Sequence, residues 1–223
     1  MKIYEELEQG SDEWLAARRG ILTASEAKLI VTPKFSVANN DKKRAHAYEL
    51  AAQRVTGRTE PQYISDDMLR GMFDEATARD IYAEHYEPVT EVGFITNEIE
   101  GAMVGYSPDG LAGDDGLIEI KSRRQKFQMQ YISEMVAPPE HLVQMHFGML
   151  VSGRKWCDYV QYCAGMPLFV KRVYRDEEII KKLTDAVLVF EESINEILFK
   201  YRAHAAALVK TEIKEDENGV SLI

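Results

Sequence analysis

Two acidic residues and one lysine occur at a spacing that suits chemistry on a phosphate ester. They are Asp109 in the segment SPDG (107–110), and Glu119 and Lys121 in the segment LIEIK (117–121). Side chains alternate along a strand, so Glu119 and Lys121 share one face of a strand over 117–121, and the two isoleucines share the other. A hairpin that folds Asp109 back onto Glu119 therefore brings two carboxylates together, with the lysine close by.

Two neighbouring carboxylates repel each other unless one is protonated or a cation lies between them. Ligands that are all oxygen atoms favour Mg²⁺ or Mn²⁺ over zinc. Such an ion would polarise a phosphodiester and lower the pKa of a bound water, while Lys121 would orient that water and counter the phosphate charge. The alternative is a surface ion pair of Glu119 with Lys121 beside an ordinary Pro-Asp-Gly turn, since both patterns are common.

Two polar residues on predicted helices add to this pattern. Glu75 follows Met72 at helical spacing, so it lies on or near an apolar stripe, where an unpaired carboxylate is costly. The alternative for Glu75 is an ion pair with Arg79, one turn later. Gln144 lies on the helix that precedes the last predicted hairpin, and by itself it suits a surface amide.

The hydrophobic periodicity around these residues changes along the chain from about 3.6 to about 2, which predicts both helices and strands. Helices are predicted from Thr23 and at 12–19, 45–55, 66–86, 125–135, 138–151 and 176–207. Strands are predicted at 89–95, 103–106, 117–121, 156–163 and 168–174. Residues 32–44 are predicted to form a mobile loop. This order of elements predicts a mixed α/β fold with a central sheet covered by helices.

The composition is that of an ordinary globular chain, with 223 residues and a formal net charge of −10. The charge argues against a surface coated by nucleic acid, but it allows a local basic groove or a metal-mediated contact. Two cysteines are too few for a disulfide framework, a four-cysteine zinc site or an iron–sulfur cluster. The charged N-terminus is unlike a signal peptide, and no segment approaches the ~18 apolar residues of a membrane span. We therefore expect a soluble cytoplasmic protein without a membrane partner.

Several motifs of the chain match a known family. Residues 108–109 (PD) and 119–121 (EIK) match the PD-(D/E)xK nuclease signature in residue types and spacing. The segments 18–26 (RRGILTASE) and 106–111 (YSPDGL) resemble lambda exonuclease and the YqaJ-type viral recombinase family, with the motifs in the same order. The resemblance implies one nuclease domain with a restriction-endonuclease-like α/β core, in which a central mixed sheet is flanked by helices.

The resemblance also assigns roles to parts of this single domain, residues 1–223. The helices within 12–57 would contribute the phosphate pocket and the DNA channel, and the catalytic core would span about 66–207. Residues 208–223 would form an acidic, frayed tail. The chain departs from the family after the lysine, where SRR (122–124) replaces an apolar or cysteine–proline continuation.

By the same resemblance, the side chains of Asp109 and Glu119 are metal ligands, joined by the backbone carbonyl of Ile120. Glu75 falls where the family places a helical acid that helps to bind a second ion. The implied cofactor is Mg²⁺, as two ions, with Mn²⁺ as a substitute. Lys121 would act on the nucleophilic water during hydrolysis of the phosphodiester.

The resemblance implies a phosphate pocket as well. Arg18, Ser25 and Ser107 match positions that hold the 5′-phosphate of the digested strand, and a guanidinium with two hydroxyls suits that purpose. Gln144 falls where the family has a glutamine near the catalytic lysine, which makes it a catalytic candidate. Without the family, Arg18 suits a surface arginine at a helix end, and Ser25 suits a capping group.

The implied function is a 5′–3′ exonuclease on linear double-stranded DNA with 5′-phosphorylated ends. The product would be a 3′ single-stranded overhang for a single-strand annealing protein in recombination, in a bacterial cytoplasm and of phage or prophage origin. The family assembles as a ring-shaped homotrimer around the duplex. Basic residues that could line the ring, or could form solvated charge clusters, are Lys42, Lys43, Arg44, Lys121, Arg123, Arg124 and Lys126.

Two other interpretations remain open from the sequence. One is an endonuclease or a single-strand nuclease on the same core, for which the phosphate pocket would be unnecessary. The other is a catalytically silent DNA-binding scaffold that keeps the fold, although the intact acidic residues and lysine argue against it.

Overall fold

The computed structural model describes residues 1–60 and 65–212, so most of the predicted acidic tail, 213–223, lies outside the described residues. In the described part of the chain, six α-helices and one 3-10 helix surround nine strands. The helices are α1 (Asp12–Arg18), the 3-10 helix (Ala27–Leu29), α2 (Asp41–Thr56), α3 (Asp66–His85), α4 (Gln125–Glu134), α5 (Pro139–Ser152) and α6 (Glu177–Ala205). The strands are β1 (Lys2–Tyr4), β2 (Leu22–Thr23), β3 (Val89–Thr90), β4 (Phe94–Ile99), β5 (Ala102–Tyr106), β6 (Gly110–Ala112), β7 (Gly116–Ser122), β8 (Trp156–Tyr162) and β9 (Phe169–Tyr174). None of the described helices combines the length and the apolar character that crossing a bilayer requires.

The strands confirm the predicted mixed α/β class, but they divide between two sheets. The five-stranded sheet has the order β3-β6-β7-β8-β9, in which β7 and β8 run parallel and the other neighbours run antiparallel. The four-stranded sheet has the order β1-β4-β5-β2, with β2 parallel to β5. The chain crosses from the four-stranded to the five-stranded sheet through residues 107–109. The SPDG segment therefore lies at the crossing between the two sheets.

The two faces of β7 pack in two separate apolar clusters, as the alternation of the segment predicts. Leu117 joins the large cluster, which also contains residues of α2, α5, α6 and the four-stranded sheet. Ile118 and Ile120 join a small cluster beneath α3. Glu119 lies on the face of Leu117, so it is a carboxylate on the side of the large core.

Two predictions in the N-terminal part of the chain are wrong, one in its boundary and one in its type of element. The predicted loop over 32–44 is too long, because α2 begins at Asp41, where the side chain of Asn40 accepts a hydrogen bond of 2.9 Å from the backbone N–H of Lys43. The helix predicted from Thr23 is a short strand followed by one 3-10 turn. Thr23 pairs with Gly105 of β5, and this contact with a distant strand outweighs the local capping pattern.

The prediction of one strand over 89–95 is wrong as well. This segment contains β3 and the start of β4, which belong to different sheets. Gly93 separates them, and it approaches the backbone so closely that a Cβ atom there would lie 1.8 Å from the carbonyl oxygen of Leu7. Strand β6 occupies residues 110–112, where the sequence predicts only a turn. Three residues are too few to show a period of 2, so this strand depends on its pairing with β7.

A buried polar network fixes α3 to the five-stranded sheet. The hydroxyl of Tyr82 donates a hydrogen bond of 2.6 Å to Oδ2 of Asp158 on β8. Arg172 on β9 donates to both carboxylate oxygens of Asp158, at 2.8 and 2.9 Å. Nearer the start of α3, the hydroxyl of Ser122 donates to Asp74 at 2.6 Å. These bonds hold the helix over the end of β7.

The substitution Tyr82→Phe tests this network. Because the variant removes a buried donor to a carboxylate that is paired with Arg172, we expect the free energy of unfolding to fall by about 1–3 kcal/mol, measured by denaturant unfolding. The matched control is Tyr86→Phe, since Tyr86 stacks on Tyr82 but is 51% exposed. Equal losses in the two variants would contradict the role given to the Tyr82 hydroxyl.

Candidate active site

Strand β7 presents Glu119 and Lys121 side by side, and its neighbours enclose the acid. Glu119 is only 1% exposed, whereas the side chain of Lys121 is 26% exposed. Lys121 Nζ forms an ion pair with Oε1 of Glu119, and the hydroxyl of Tyr106 donates to Oε2 at 3.4 Å. The interpretation of a surface ion pair is therefore wrong, because the pair exists but its carboxylate is buried.

Asp109 folds back onto β7, as the predicted hairpin requires. Its Oδ2 accepts a hydrogen bond of 2.5 Å from the backbone N–H of Ile120, next to the antiparallel pairing of Gly110 with Ile118. The N–H and C=O groups of one strand residue point to the same side, so the carbonyl of Ile120 also points toward Asp109. The two predicted carboxylate ligands and the predicted carbonyl ligand thus lie at one end of β7.

Glu75 reaches the same region from α3, through an arginine. Arg79 donates to Glu75 Oε1 at 2.6 Å and, from Nε, to the backbone carbonyl of Asp109 at 2.7 Å. It also forms an ion pair of 2.5 Å with Glu91. The ion pair that the helical spacing offered as the alternative is thus present. The sequence did not predict that Arg79 would also bind the turn that carries Asp109.

Burial is the main cause of the raised pKa values of the three carboxyl groups. It raises the pKa of Glu119 to about 7, opposed by the charge of Lys121 and assisted by that of Asp109. Burial and then the charge of Asp109 raise the pKa of Glu75 to about 7, and burial also raises the pKa of Asp109. Burial alone would lower the pKa of Lys121, but the charges of Glu119 and Asp109 raise it. The ionised carboxylates are therefore costly here unless a further cation is present.

The donor atoms of this site suit a hard divalent ion. Asp109, Glu119 and the carbonyl of Ile120 offer oxygen atoms only, which favours Mg²⁺ or Mn²⁺ over zinc. In residues 1–60 and 65–212, no three His, Cys, Asp or Glu side chains are close enough to hold one ion. Glu75 is paired with Arg79, so it would have to exchange that partner before it could bind a metal. The assignment of Glu75 to a second ion stays a prediction.

The three residues predicted to hold a phosphate do come together. The guanidinium of Arg18 donates to the hydroxyls of Ser107 at 3.2 Å and of Thr23 at 3.3 Å, and Thr23 lies 3.3 Å from the hydroxyl of Ser25. The indole ring of Trp14 stacks on Arg18 at 4.1 Å and donates to Ser107 at 2.9 Å. Thr23 and Trp14 were not predicted here, although both stand in or beside the Arg-to-Ser block that carries the resemblance.

The pocket has the properties of an anion site. Arg18 is half-buried, and its hydrogen-bond partners are uncharged hydroxyls, so its positive charge is not neutralised by direct contact. Burial lowers the pKa of Arg18, opposed by the charge of Glu26. A phosphate that enters the pocket would restore the lost solvation and bind the guanidinium directly.

Gln144 lies on α5, where its side chain is half-buried. It follows His141 by one helical turn, and the His141 ring stacks on Tyr159 of β8 at 5.4 Å. The charge of Lys121 is among the causes that lower the pKa of His141, after burial. This places the same face of α5 near Lys121, but a catalytic role of Gln144 stays a prediction.

The fold and the site define an α/β protein in which carboxylates and a lysine meet at the end of a sheet strand, beside an anion pocket. The sequence profile of the YqaJ-like viral recombinase domain matches residues 13–155, and the chain belongs to this family. A search of curated protein sequences gave no significant match.

Solved structures of exonucleases have a similar fold. The chain is similar to the alkaline exonuclease LHK-Exo from Laribacter hongkongensis, with 35% identity and a TM-score of 0.79 over 89% of this chain and 100% of that one. LHK-Exo in complex with dAMP matches with the same identity and coverage and a TM-score of 0.78. A phage-related exonuclease from Haemophilus somnus 129PT shares the fold at 12% identity, with a TM-score of 0.56 over 81% and 96% of the two chains. The predicted restriction-endonuclease-like fold is confirmed.

The raised pKa values give the metal-free protein a defined pH dependence. The folded state binds a proton at Glu119 up to about pH 7, whereas the ordinary pKa is 4.5, so stability should fall as the pH rises from about 4.5 to 7. Thermal unfolding in EDTA measures this slope, and Glu119→Gln should reduce it. The matched control is Glu98→Gln, which changes an exposed acid on β4.

The same experiment tests metal binding without any assay of activity. A ligand that binds only the folded state raises the unfolding temperature, so Mg²⁺ added at pH 7.5 should stabilise the protein. It should stabilise the Glu119→Gln variant much less. An unfolding temperature that does not respond to Mg²⁺ or Mn²⁺ would contradict the assignment of Asp109 and Glu119 as ligands.

Proposed function

We propose that this protein is a Mg²⁺-dependent exonuclease that digests one strand of linear double-stranded DNA in the 5′ to 3′ direction. The observation that carries the proposal is the meeting of Asp109, Glu119 and Lys121 at the end of β7, beside an anion pocket. Membership of the YqaJ-like viral recombinase family and the 35% identity with an alkaline exonuclease support a nuclease that acts on DNA.

Each side chain of the site has a task in phosphodiester hydrolysis. Asp109, Glu119 and the carbonyl of Ile120 would hold Mg²⁺, and Glu75 would contribute to a second ion; Mn²⁺ has the same ligand preference. When bound, Mg²⁺ would polarise the scissile phosphate and lower the pKa of the attacking water. The ammonium group of Lys121 orients that water and counters the charge that develops on the phosphate. Gln144 supports the position of Lys121 from α5.

The anion pocket supports the proposed polarity of digestion. Arg18, Ser25 and Ser107 hold the 5′-terminal phosphate, and Ser107 is only two residues from Asp109 along the same turn. A strand that is held by its 5′-phosphate in this pocket therefore presents a phosphodiester near its 5′ end to the carboxylates. A 3′ end offers no terminal phosphate for Arg18 to bind.

The remaining parts of the proposal concern assembly and context. We propose a homotrimeric ring around the duplex, which would allow many cleavage steps for each binding event. The net charge of −10 is compatible with such a ring if basic residues are segregated toward the channel. The 3′ overhang would pass to a single-strand annealing protein, in the cytoplasm of a bacterial host that carries the phage or prophage.

The activity is tested with linear duplex DNA that carries separate labels at its 5′ and 3′ ends, next to a closed circle. In Mg²⁺, we expect early release of the 5′ label and no change in the circle, and EDTA should stop the reaction. Lys121→Ala should abolish cleavage but retain DNA binding, because it removes the group that acts on water. Nicking of the circle would favour the endonuclease, and binding without cleavage in Mg²⁺ or Mn²⁺ would favour the silent scaffold.

The pocket is tested by comparing 5′-phosphate with 5′-hydroxyl ends. Charge-assisted hydrogen bonds contribute about 1.5–3 kcal/mol, so the wild type should prefer the phosphorylated end by about 10- to 100-fold. Arg18→Ala should lose this preference and leave the rate on 5′-hydroxyl ends nearly unchanged. The matched control is Arg202→Ala, an exposed arginine on α6. Equal wild-type rates on both ends would remove Arg18 from the proposed pocket.

A further inference from the structure

A second arginine lies beside the proposed active site, on the same face of the same strand. The backbone N–H of Arg123 bonds to the carbonyl of Tyr162 at 3.0 Å, so the ladder between β7 and β8 continues to this residue. Alternation along the strand puts Arg123 on the face of Glu119 and Lys121. Two strand residues on one face are about 6.6 Å apart, which is comparable to the separation of neighbouring phosphates on one DNA strand.

Arg123 is held in place by an uncharged partner. One guanidinium nitrogen of Arg123 lies 2.9 Å from Nε2 of His141. Since a guanidinium can only donate, Nε2 must accept, and His141 is therefore a neutral imidazole with its proton on Nδ1. The imidazole is itself fixed by stacking on Tyr159, whose hydroxyl donates to Gln161 at 2.7 Å.

The surroundings of His141 keep it neutral. Burial first, and then the charges of Lys121, Arg123 and Lys28, together lower the pKa of His141 to about 3. Lys28 is exposed on the 3-10 helix, so cations from two separate elements lie around one imidazole. A neutral histidine accepts the hydrogen bond from Arg123 and leaves the positive charge of the guanidinium uncompensated.

The pairing of Arg123 differs from that of several other arginines in the described part of the chain. In the described residues, Arg54, Arg79 and Arg172 each contact a carboxylate within 3 Å, whereas Arg123 forms no ion pair. Two more half-buried arginines have neutral partners: Arg18, in the proposed phosphate pocket, and Arg154, which donates to the backbone carbonyls of Ala112, Gly113 and Gly116. Of the three, only Arg123 lies at the end of the strand that carries Glu119 and Lys121. A guanidinium that is already held in place and has no carboxylate partner is well suited to bind a phosphate oxygen. Little side-chain conformational entropy is lost when the phosphate binds.

We propose that Arg123, held by the neutral His141, binds the phosphate that neighbours the scissile one on the digested strand. His141 is a positioning residue that acts through Arg123 and does not touch the DNA. This inference rests on the function proposed above and adds to it a second phosphate contact at the active site.

The test combines steady-state cleavage with binding of a 5′-phosphorylated duplex in EDTA, both over a range of salt concentrations. Arg123→Gln should raise KM and the dissociation constant by about 10- to 100-fold with kcat within about twofold. It should also reduce the salt slope of binding by about 0.9, the value for one phosphate contact. His141→Leu should shift KM in the same direction, and His141→Gln, which keeps an acceptor, should restore it. Lys181→Ala on α6 is the matched control for the lost charge.

The outcomes separate this inference from the proposed function. Unfolding curves show whether each variant is folded, and Arg123→Gln keeps the test valid if His141→Leu unfolds. If the wild type digests DNA but Arg123→Gln leaves KM and the salt slope unchanged, the inference is wrong and the proposed function stands. A fall in kcat alone would also overturn it, since the contact is proposed to bind the strand. If the wild type neither binds nor digests duplex DNA, both proposals are wrong.

Discussion

The burial of one carboxylate, that of Glu119, is the constraint on which the arrangement of the site depends. An ionised group that is 1% exposed must have partners, and this one has the ammonium of Lys121 and the hydroxyl of Tyr106. Those partners do not fully compensate for burial, since the pKa of Glu119 is raised to about 7. The fold therefore maintains a site that is electrostatically unsatisfied, and a divalent cation would relieve it. Replacement of Glu119 by an apolar residue would remove the buried charge that a cation would compensate.

The arrangement of the site also depends on the packing of helix α3. Its polar contacts with β7, β8 and the turn before β6 bring Glu75 close enough for the charge of Asp109 to raise its pKa. Arg79 connects the two acidic residues, because it donates to the carboxylate of Glu75 and to the backbone carbonyl of Asp109. One guanidinium therefore links the helix that carries Glu75 to the turn that carries Asp109.

The sequence predicted the parts of the site that depend on local periodicity. The alternation of LIEIK correctly assigns Ile118 and Ile120 to one face and Glu119 to the other, because a seven-residue strand is long enough to show a period of 2. The proximity of Asp109 to β7 followed from a short hairpin. Three-residue strands such as β6 and the division of the strands between two sheets were not predictable, since they depend on pairing between distant segments. Thr23 and Trp14 were not predicted in the proposed phosphate pocket for the same reason: only tertiary contacts place them beside Ser107.

The turn over residues 107–109 also fixes the separation between the two proposed binding sites. Ser107 belongs to the pocket proposed for the terminal phosphate and Asp109 to the proposed metal ligands, and one buried proline separates them. Gln9 donates to the carbonyl of that proline at 3.2 Å, and Arg79 donates to the carbonyl of Asp109, so the middle and the C-terminal end of the turn are fixed. For the proposed reaction, the length of the fragment released at each step is therefore set by three consecutive residues of backbone. An insertion into this turn would change the size of the product before it changed the chemistry.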